Sequence, residues 1–134
     1  EQRTDWIKKQ LRKFSQSKAK QIFKKPDGAE LITIKKYLRN RVEHLAKRHG
    51  FQFNKVSFKN MKTRWGSCSP KNNISFNILM AHLPKKFQDY IILHELLHTR
   101  IKDHKKGYWA ELDRLTGDAN GFHKELKEKY TFYN

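Results

Sequence analysis

The chain holds a single cysteine, Cys68, among its 134 residues. An internal disulfide is therefore impossible, and so is a metal site built on paired thiolates. That usage suits a reducing compartment, and the expected location is the cytoplasm. No apolar run approaches the roughly 20 residues that a membrane-spanning helix needs. No secretory signal opens the chain, although a first residue of Glu1 rather than Met leads us to expect a native start further upstream. Internal repeats are absent, as are helix-turn-helix, zinc-finger and RNA-binding signatures. Acidic residues are scarce: 13 Asp and Glu face 30 Lys and Arg, a formal net charge of +17. Lys8, Lys9, Arg12, Lys13, Lys18, Lys20, Lys24 and Lys25 concentrate that excess in the first fifty residues. Such density favours DNA or another polyanion as a partner. The plainer account is a solvated basic face.

A chain of this length can bury a workable core as one domain. Its lead-in, residues 1–50, reads as two helices. One runs from about Thr4 to Lys24, with Trp6, Ile7, Leu11, Phe14 and Ile22 as its apolar stripe. Pro26-Asp27-Gly28 interrupts it, and a second helix runs from about Thr33 to His49, with Gly50 as its stop. Residues 51–134 carry the rest. Alternation predicts strands over Phe51–Lys59, Thr63–Cys68 and Asn73–Leu79, with turn chemistry in Ser69-Pro70-Lys71-Asn72. A helix from about Pro84 to Ile101 follows, then short helices near Tyr108–Leu115 and Phe122–Tyr130. The predicted class is α+β, with a small antiparallel sheet packed on helices.

The chemistry concentrates in His94-Glu95-Leu96-Leu97-His98. On a helix, positions i and i+4 lie nearly above one another, so both imidazoles can face one ion. Glu95 is rotated by about 100° and lies beside that ion, where it can take a proton from water. Tyr90, Ile91, Ile92, Leu93, Leu96 and Leu97 make this helix apolar nearly all round, the mark of a buried one. Burying His, Glu and His there costs several kcal/mol, ~2–7 per unpartnered group, unless they are paired or ligated.

A catalytic zinc takes three protein ligands and keeps a fourth position for water. His104 and Glu111 are the candidates for the third. On an unbroken helix His104 would be turned by about 240° and lifted roughly 9 Å from His98. The helix must therefore end near Ile101–Asp103 if His104 is to fold back. The spacing of His94, His98 and His104 matches the metzincin pattern. Ile101 occupies its turn-glycine position, however, and both methionines, Met61 and Met80, lie upstream.

Several further motifs stand in a fixed order: Lys62-Thr63-Arg64-Trp65-Gly66-Ser67-Cys68-Ser69, Asn73-Ile74-Ser75-Phe76-Asn77, Leu83-Pro84, Asp89-Tyr90-Ile91-Ile92, Asp103-His104 and Tyr108-Trp109. Together with the His-Glu pair they resemble the YgjP-like metallopeptidase domain, a zincin relative of SprT/Spartan proteases. The resemblance covers roughly Lys55–Leu112. It implies a zincin-like fold, one Zn2+ per chain and His104 as third ligand, although Asp103, Lys105 and Tyr108 depart from the family's Asn, Ser and Phe. It also implies hydrolysis of a protein or peptide substrate with Glu95 as general base.

Arg64, Asn77 and Tyr108 are the candidate substrate-binding or oxyanion-stabilising groups, by family position or reach. If Asn73–Asn77 forms the sheet edge beside the metal, a peptide can add to it as another strand. The SprT/Spartan link and the charge together suggest a nucleic-acid-associated protease. The competing reading is a non-catalytic basic module, braced by zinc, that binds nucleic acid.

Overall fold

The computed structural model describes residues 27–130. The helix predicted over Thr4–Lys24, and with it the densest basic segment, lies outside them.

Helix α1 spans Gly28–His49 and starts five residues before the predicted Thr33. Asp27 is the reason: its carboxylate accepts from the Glu30 amide at 2.8 Å and caps the first turn. Gly50 ends the helix in the left-handed region, at φ 71°. The Phe51 amide then reaches back to the Ala46 carbonyl at 2.8 Å, closing a Schellman-type turn. Because Phe51 serves that turn, β1 begins only at Lys55 and runs Lys55–Lys59.

Strand β2 is Gly66–Cys68 and β3 is Asn73–Asn77. The turn between them is held by Asn72 N–H to the Ser69 carbonyl at 2.9 Å, with Asn72 at φ 63°. The strand order is β1-β3-β2. Strand β3 pairs antiparallel with β2 but parallel with β1, so the sheet is mixed and the expectation of an antiparallel sheet is corrected. The physical reason is burial. Ile74 and Phe76 are the most deeply buried apolar side chains of the strands, and Phe76 stacks on Phe58 at 5.9 Å. The most buried strand takes the middle, between β1 and the strand it follows by hairpin. Asn73–Asn77 is therefore not a sheet edge; β1 and β2 are, and β2 is the one packed against α2.

After β3 a 3-10 turn, Ile78–His82, leads into α2, Lys85–Leu97. Helices α3, Lys106–Thr116, and α4, Ala119–Lys129, complete the described chain. Helix α2 is the hub and packs against α1, β2, α3 and α4. Phe87, Ile91, Ile92, Leu93, Leu96 and Leu97 are all buried, as its all-round apolarity requires. Gln88, a buried polar residue on the same helix, is fully occupied: its amide donates to the carbonyls of Ala81 and Leu83, and it accepts from the Tyr37 hydroxyl at 2.7 Å.

Helix α1 is tied to α2 by a half-buried, two-pronged ion pair. Arg41 Nε and Nη2 donate to the two Asp89 carboxylate oxygens, each at 2.7 Å. A bidentate pair of this geometry exceeds an ordinary surface bridge. Replacing Asp89 with Ala is expected to lower unfolding stability by about 1–2 kcal/mol, with the denaturant slope unchanged. Chemical denaturation of the variant beside the parent checks this.

Candidate metal centre and active site

His94 projects from the last turn of α2, and His98 stands at its C-cap. The helix itself ends at Leu97, four residues before the predicted Ile101. A tight turn takes over, with Thr99, Arg100 and Ile101 amides donating to the carbonyls of Leu96 and Leu97. The chain then reverses. The Asp103 carboxylate accepts from the Lys105 amide at 3.1 Å, folding the loop that carries His104. This reversal brings together three imidazoles whose ligating nitrogens all lie within 4.8 Å of one another. Nε2 of His98 and Nε2 of His104 are 2.9 Å apart.

The protonation pattern suits a cation. Burial, reinforced by His98 and His104, pushes His94 down to about 3. Burial likewise lowers His98, the Ile101 carbonyl opposing it. Both rings are neutral near pH 7 and present lone pairs. Nδ1 of His98 lies 2.9 Å from that carbonyl, which fixes the proton on Nδ1 and turns the Nε2 lone pair toward the cluster. The stacked Tyr108 ring, 4.5 Å away and inclined by 13°, holds His98 in plane. Three imidazoles converging in this way fit a metal ion of zinc's preferences. The other third-ligand candidate, Glu111, stands apart. It accepts from Arg114 Nε at 3.0 Å and is no member of the cluster.

Glu95 is buried beside the cluster. Burial raises its carboxyl to about 7, opposed by the positive charge of Arg64. Its closest neighbour is strand β2: a Cβ placed on Gly66 would lie 2.9 Å from Glu95 Cγ and 3.0 Å from Oε2. Gly66 is thus what lets the carboxylate stand against the strand. Sequence reasoning passed over this residue, although a glycine inside a strand signals close approach.

Two cavities flank the centre. One, of about 310 Å³, is lined by Ser67, Cys68, His98, Lys102 and His104. The other, of about 460 Å³, lies toward Trp65, Tyr90 and α4. They share Arg64, Gly66, His94 and Glu95. The cleft therefore passes across the imidazoles and opens on both sides of Glu95. Lys102 is a further residue that sequence reasoning missed. Its ammonium donates to the Ser69 carbonyl at 3.0 Å and to Asn72, tying the His104 loop to the β2–β3 turn. Cys68 lies 3.8 Å from the same ammonium, and burial raises its thiol, so it is a poor nucleophile.

The three expected substrate-binding residues fare differently. Arg64 is exposed and lines both cavities. Asn77 is wholly buried: its amide donates to the carbonyls of Met61 and Arg64, and its oxygen accepts from the Leu79 amide. Tyr108 is equally buried, and its hydroxyl donates to the His94 carbonyl at 2.8 Å. For Asn77 and Tyr108 the expectation of substrate contact is corrected. Both brace backbone around the site because their polar atoms are already satisfied.

Comparison with known proteins agrees with this geometry. The family model described as YgjP-like, metallopeptidase domain, matches residues 31–129. Among solved structures, the metallopeptidase zymogen of Pyrococcus abyssi abylysin is similar in fold, with a TM-score of 0.59 and 22% identity over 69% of this chain and 94% of that one. The metallopeptidase zymogen of Methanocaldococcus jannaschii jannalysin is similar too, with a TM-score of 0.58 and 20% identity over 69% and 95% of the two chains. A search of curated proteins finds no match.

The convergence of the imidazoles has a direct consequence for affinity. Replacing His104 with Ala is expected to weaken zinc binding by about 10²-fold or more, whereas Glu111→Ala leaves it unchanged. Competition with a chromogenic chelator measures both constants.

Proposed function

Since the chain belongs to the YgjP-like metallopeptidase domain family, we propose that it is a zinc endopeptidase with Glu95 as its general base. His94, His98 and His104 would hold the ion. Zinc bound there supplies Lewis acidity, lowering the pKa of water toward about 7 and polarising the scissile carbonyl. Everything else falls to the chain's own side chains. Glu95, buried beside the imidazoles, accepts the proton of the attacking water and passes it to the departing amine. Arg64, on the cleft wall, is the remaining expected residue free to meet the substrate.

Main-chain geometry supports a peptide substrate. The β2–β3 ladder uses the Trp65 carbonyl, Ser67 and the Ser69 amide. By the alternation of antiparallel pairing, the N–H and C=O groups of Gly66 and Cys68 point away from β3, toward the cleft. A peptide laid along β2 can add as a further strand, whatever its side chains. The cleft's opening on both sides of Glu95 supports cleavage within a chain rather than at its end. The observation that carries the reading is a buried carboxylate, beside three converging imidazoles, along a strand edge with outward-facing amides.

The net charge of +17 favours a second element, recruitment to nucleic acid or another polyanion. It equally motivates the rival reading, a zinc-braced binding module without catalysis. Replacing Glu95 with Gln separates the two: hydrolysis of unfolded or DNA-bound protein is expected to fall by about 10²–10⁴-fold, with one zinc per chain and polyanion binding retained. A parent protein that holds zinc yet cleaves neither substrate sinks the enzyme reading. Gly66→Ala probes the same base indirectly. By displacing Glu95 it is expected to cost about 10²-fold in kcat while zinc content, read by elemental analysis, stays the same.

A further inference from the structure

A third cavity, of about 260 Å³, lies outside the metal cleft, where α1, α2 and the α3–α4 connection meet. The spacing of its residues accounts for it. Arg41, Leu45 and Arg48 share one face of α1, at intervals of four and three, and Lys86 and Leu93 share the facing side of α2. Leu115, near the end of α3, and Phe122, on α4, close the third side.

The floor is apolar and the rim is basic. Leu45 and Leu93 are buried, and Phe122 stacks on Tyr90 at 5.7 Å. The volume falls below the roughly 300–1,000 Å³ of sites that take whole small ligands, and it suits one large apolar side chain. On the rim, Asp89 is held by Arg41 through both oxygens, so that pair cancels. Arg48 is exposed and makes no ion pair among the described residues. Lys86 meets only Glu125, at 3.7 Å in an exposed and weak contact, and Glu125 lies closer to Lys129, at 2.9 Å. His49 also lines the wall. Burial lowers it, and Arg48 and Arg114 lower it further, so its ring is neutral near pH 7. The positive charge of Arg48 and Lys86 therefore stands beside an apolar pocket with little to balance it.

An apolar pocket with a charged rim is how proteins dock on one another, an anchor side chain at the centre and ion pairs at the edge. The net charge of +17 makes the occupant acidic. It opposes a second copy of this chain, and it opposes the chain's own Lys-rich first residues. A nucleic-acid base would turn its polar edge toward leucines that offer it no hydrogen bond.

The geometry points to a docking site for an acidic segment of another protein, anchored by one leucine or phenylalanine in this cavity and gripped by Arg48 and Lys86. Tyr90 is the wall shared with the larger cavity beside Glu95, so chain flanking the docked segment passes close to the metal cleft. The inference rests on the peptidase reading for its purpose, the gathering of acidic protein substrates, while the docking itself needs no catalysis.

Binding is tested on the zinc-loaded full chain carrying Glu95→Gln, so that the probe survives. The probe is a fluorescein-labelled dodecapeptide of Asp, Glu and Ser with one central phenylalanine, read by anisotropy. It is expected to bind about tenfold or more tightly than the same peptide with serine at the centre. Equal affinities overturn the pocket. Arg48→Glu and Lys86→Glu, both at exposed positions, are each expected to weaken binding about fivefold or more at low salt. Leu115→Trp fills the cavity and is expected to erase the preference for phenylalanine while the serine peptide binds as before. If it folds poorly, as circular dichroism would show, the two charge reversals still decide. Folded variants that bind as the parent does overturn the assignment. An oligonucleotide that depends on Arg48 and Lys86, where the acidic peptides do not bind, overturns it in favour of nucleic acid.

Turnover separates this idea from the peptidase reading. The parent chain is given an unfolded protein with or without the phenylalanine dodecapeptide fused to one end. The fusion is expected to lower KM about tenfold with kcat unchanged, and Arg48→Glu to remove that gain. Equal KM values overturn the docking site and leave the peptidase reading standing. Peptide binding as expected, with neither protein cleaved, supports the docking site and sinks only the peptidase reading.

Discussion

The rest of the molecule depends on one constraint, the burial of ionisable groups inside an apolar helix. Helix α2 is enclosed by α1, the sheet, α3 and α4, yet it carries His94, Glu95 and His98. Burial limits how well water can solvate charge there, so both histidines are pushed toward the neutral form and the glutamate holds its proton unusually far up the pH scale. An uncompensated cluster of this kind would be costly. Its surroundings look arranged around that cost. The Ile101 carbonyl takes the His98 Nδ1 proton, Tyr108 braces both the His94 backbone and the His98 ring, and β2 presents a glycine where Glu95 must fit.

The same enclosure explains the position of the cleft. Three sides of α2 are covered by apolar packing, and the remaining side faces the β2 edge and the loop that carries His104. Strand β3, the most buried of the three, is central, which leaves β2 at the edge beside the site with the main-chain groups of Gly66 and Cys68 turned away from β3. The sheet thus contributes to the site through its backbone. Its polar side chains near the site, Asn77 above all, serve to hold loops in place.

Much of this was legible in the residues. The periodicities of α1, α2 and the two last helices place those elements, with errors of a few residues at their ends. Each error has a local cause. Asp27 caps a helix earlier than the Pro26-Asp27-Gly28 break suggests, Phe51 is taken by a helix-stop turn, and α2 gives way to tight turns at His98. The strand locations were legible as well, but their order was not. An alternating pattern states which face is buried and says nothing of which neighbour is parallel. Asn77 and Tyr108 were misjudged for a related reason. A polar side chain has the same letter whether it meets substrate or a buried carbonyl.

By itself the sequence determined the pair His94 and His98, the adjacent Glu95 and the apolar helix that carries them, because a spacing of four residues and a 3.6-residue period are local properties of the backbone. Tertiary structure alone decided that His104 rather than Glu111 joins them, that β2 is the sheet edge beside them, and that cavities open beside Glu95. Each of those depends on where segments distant along the chain come to rest, and that is set by competition for burial among all of them at once.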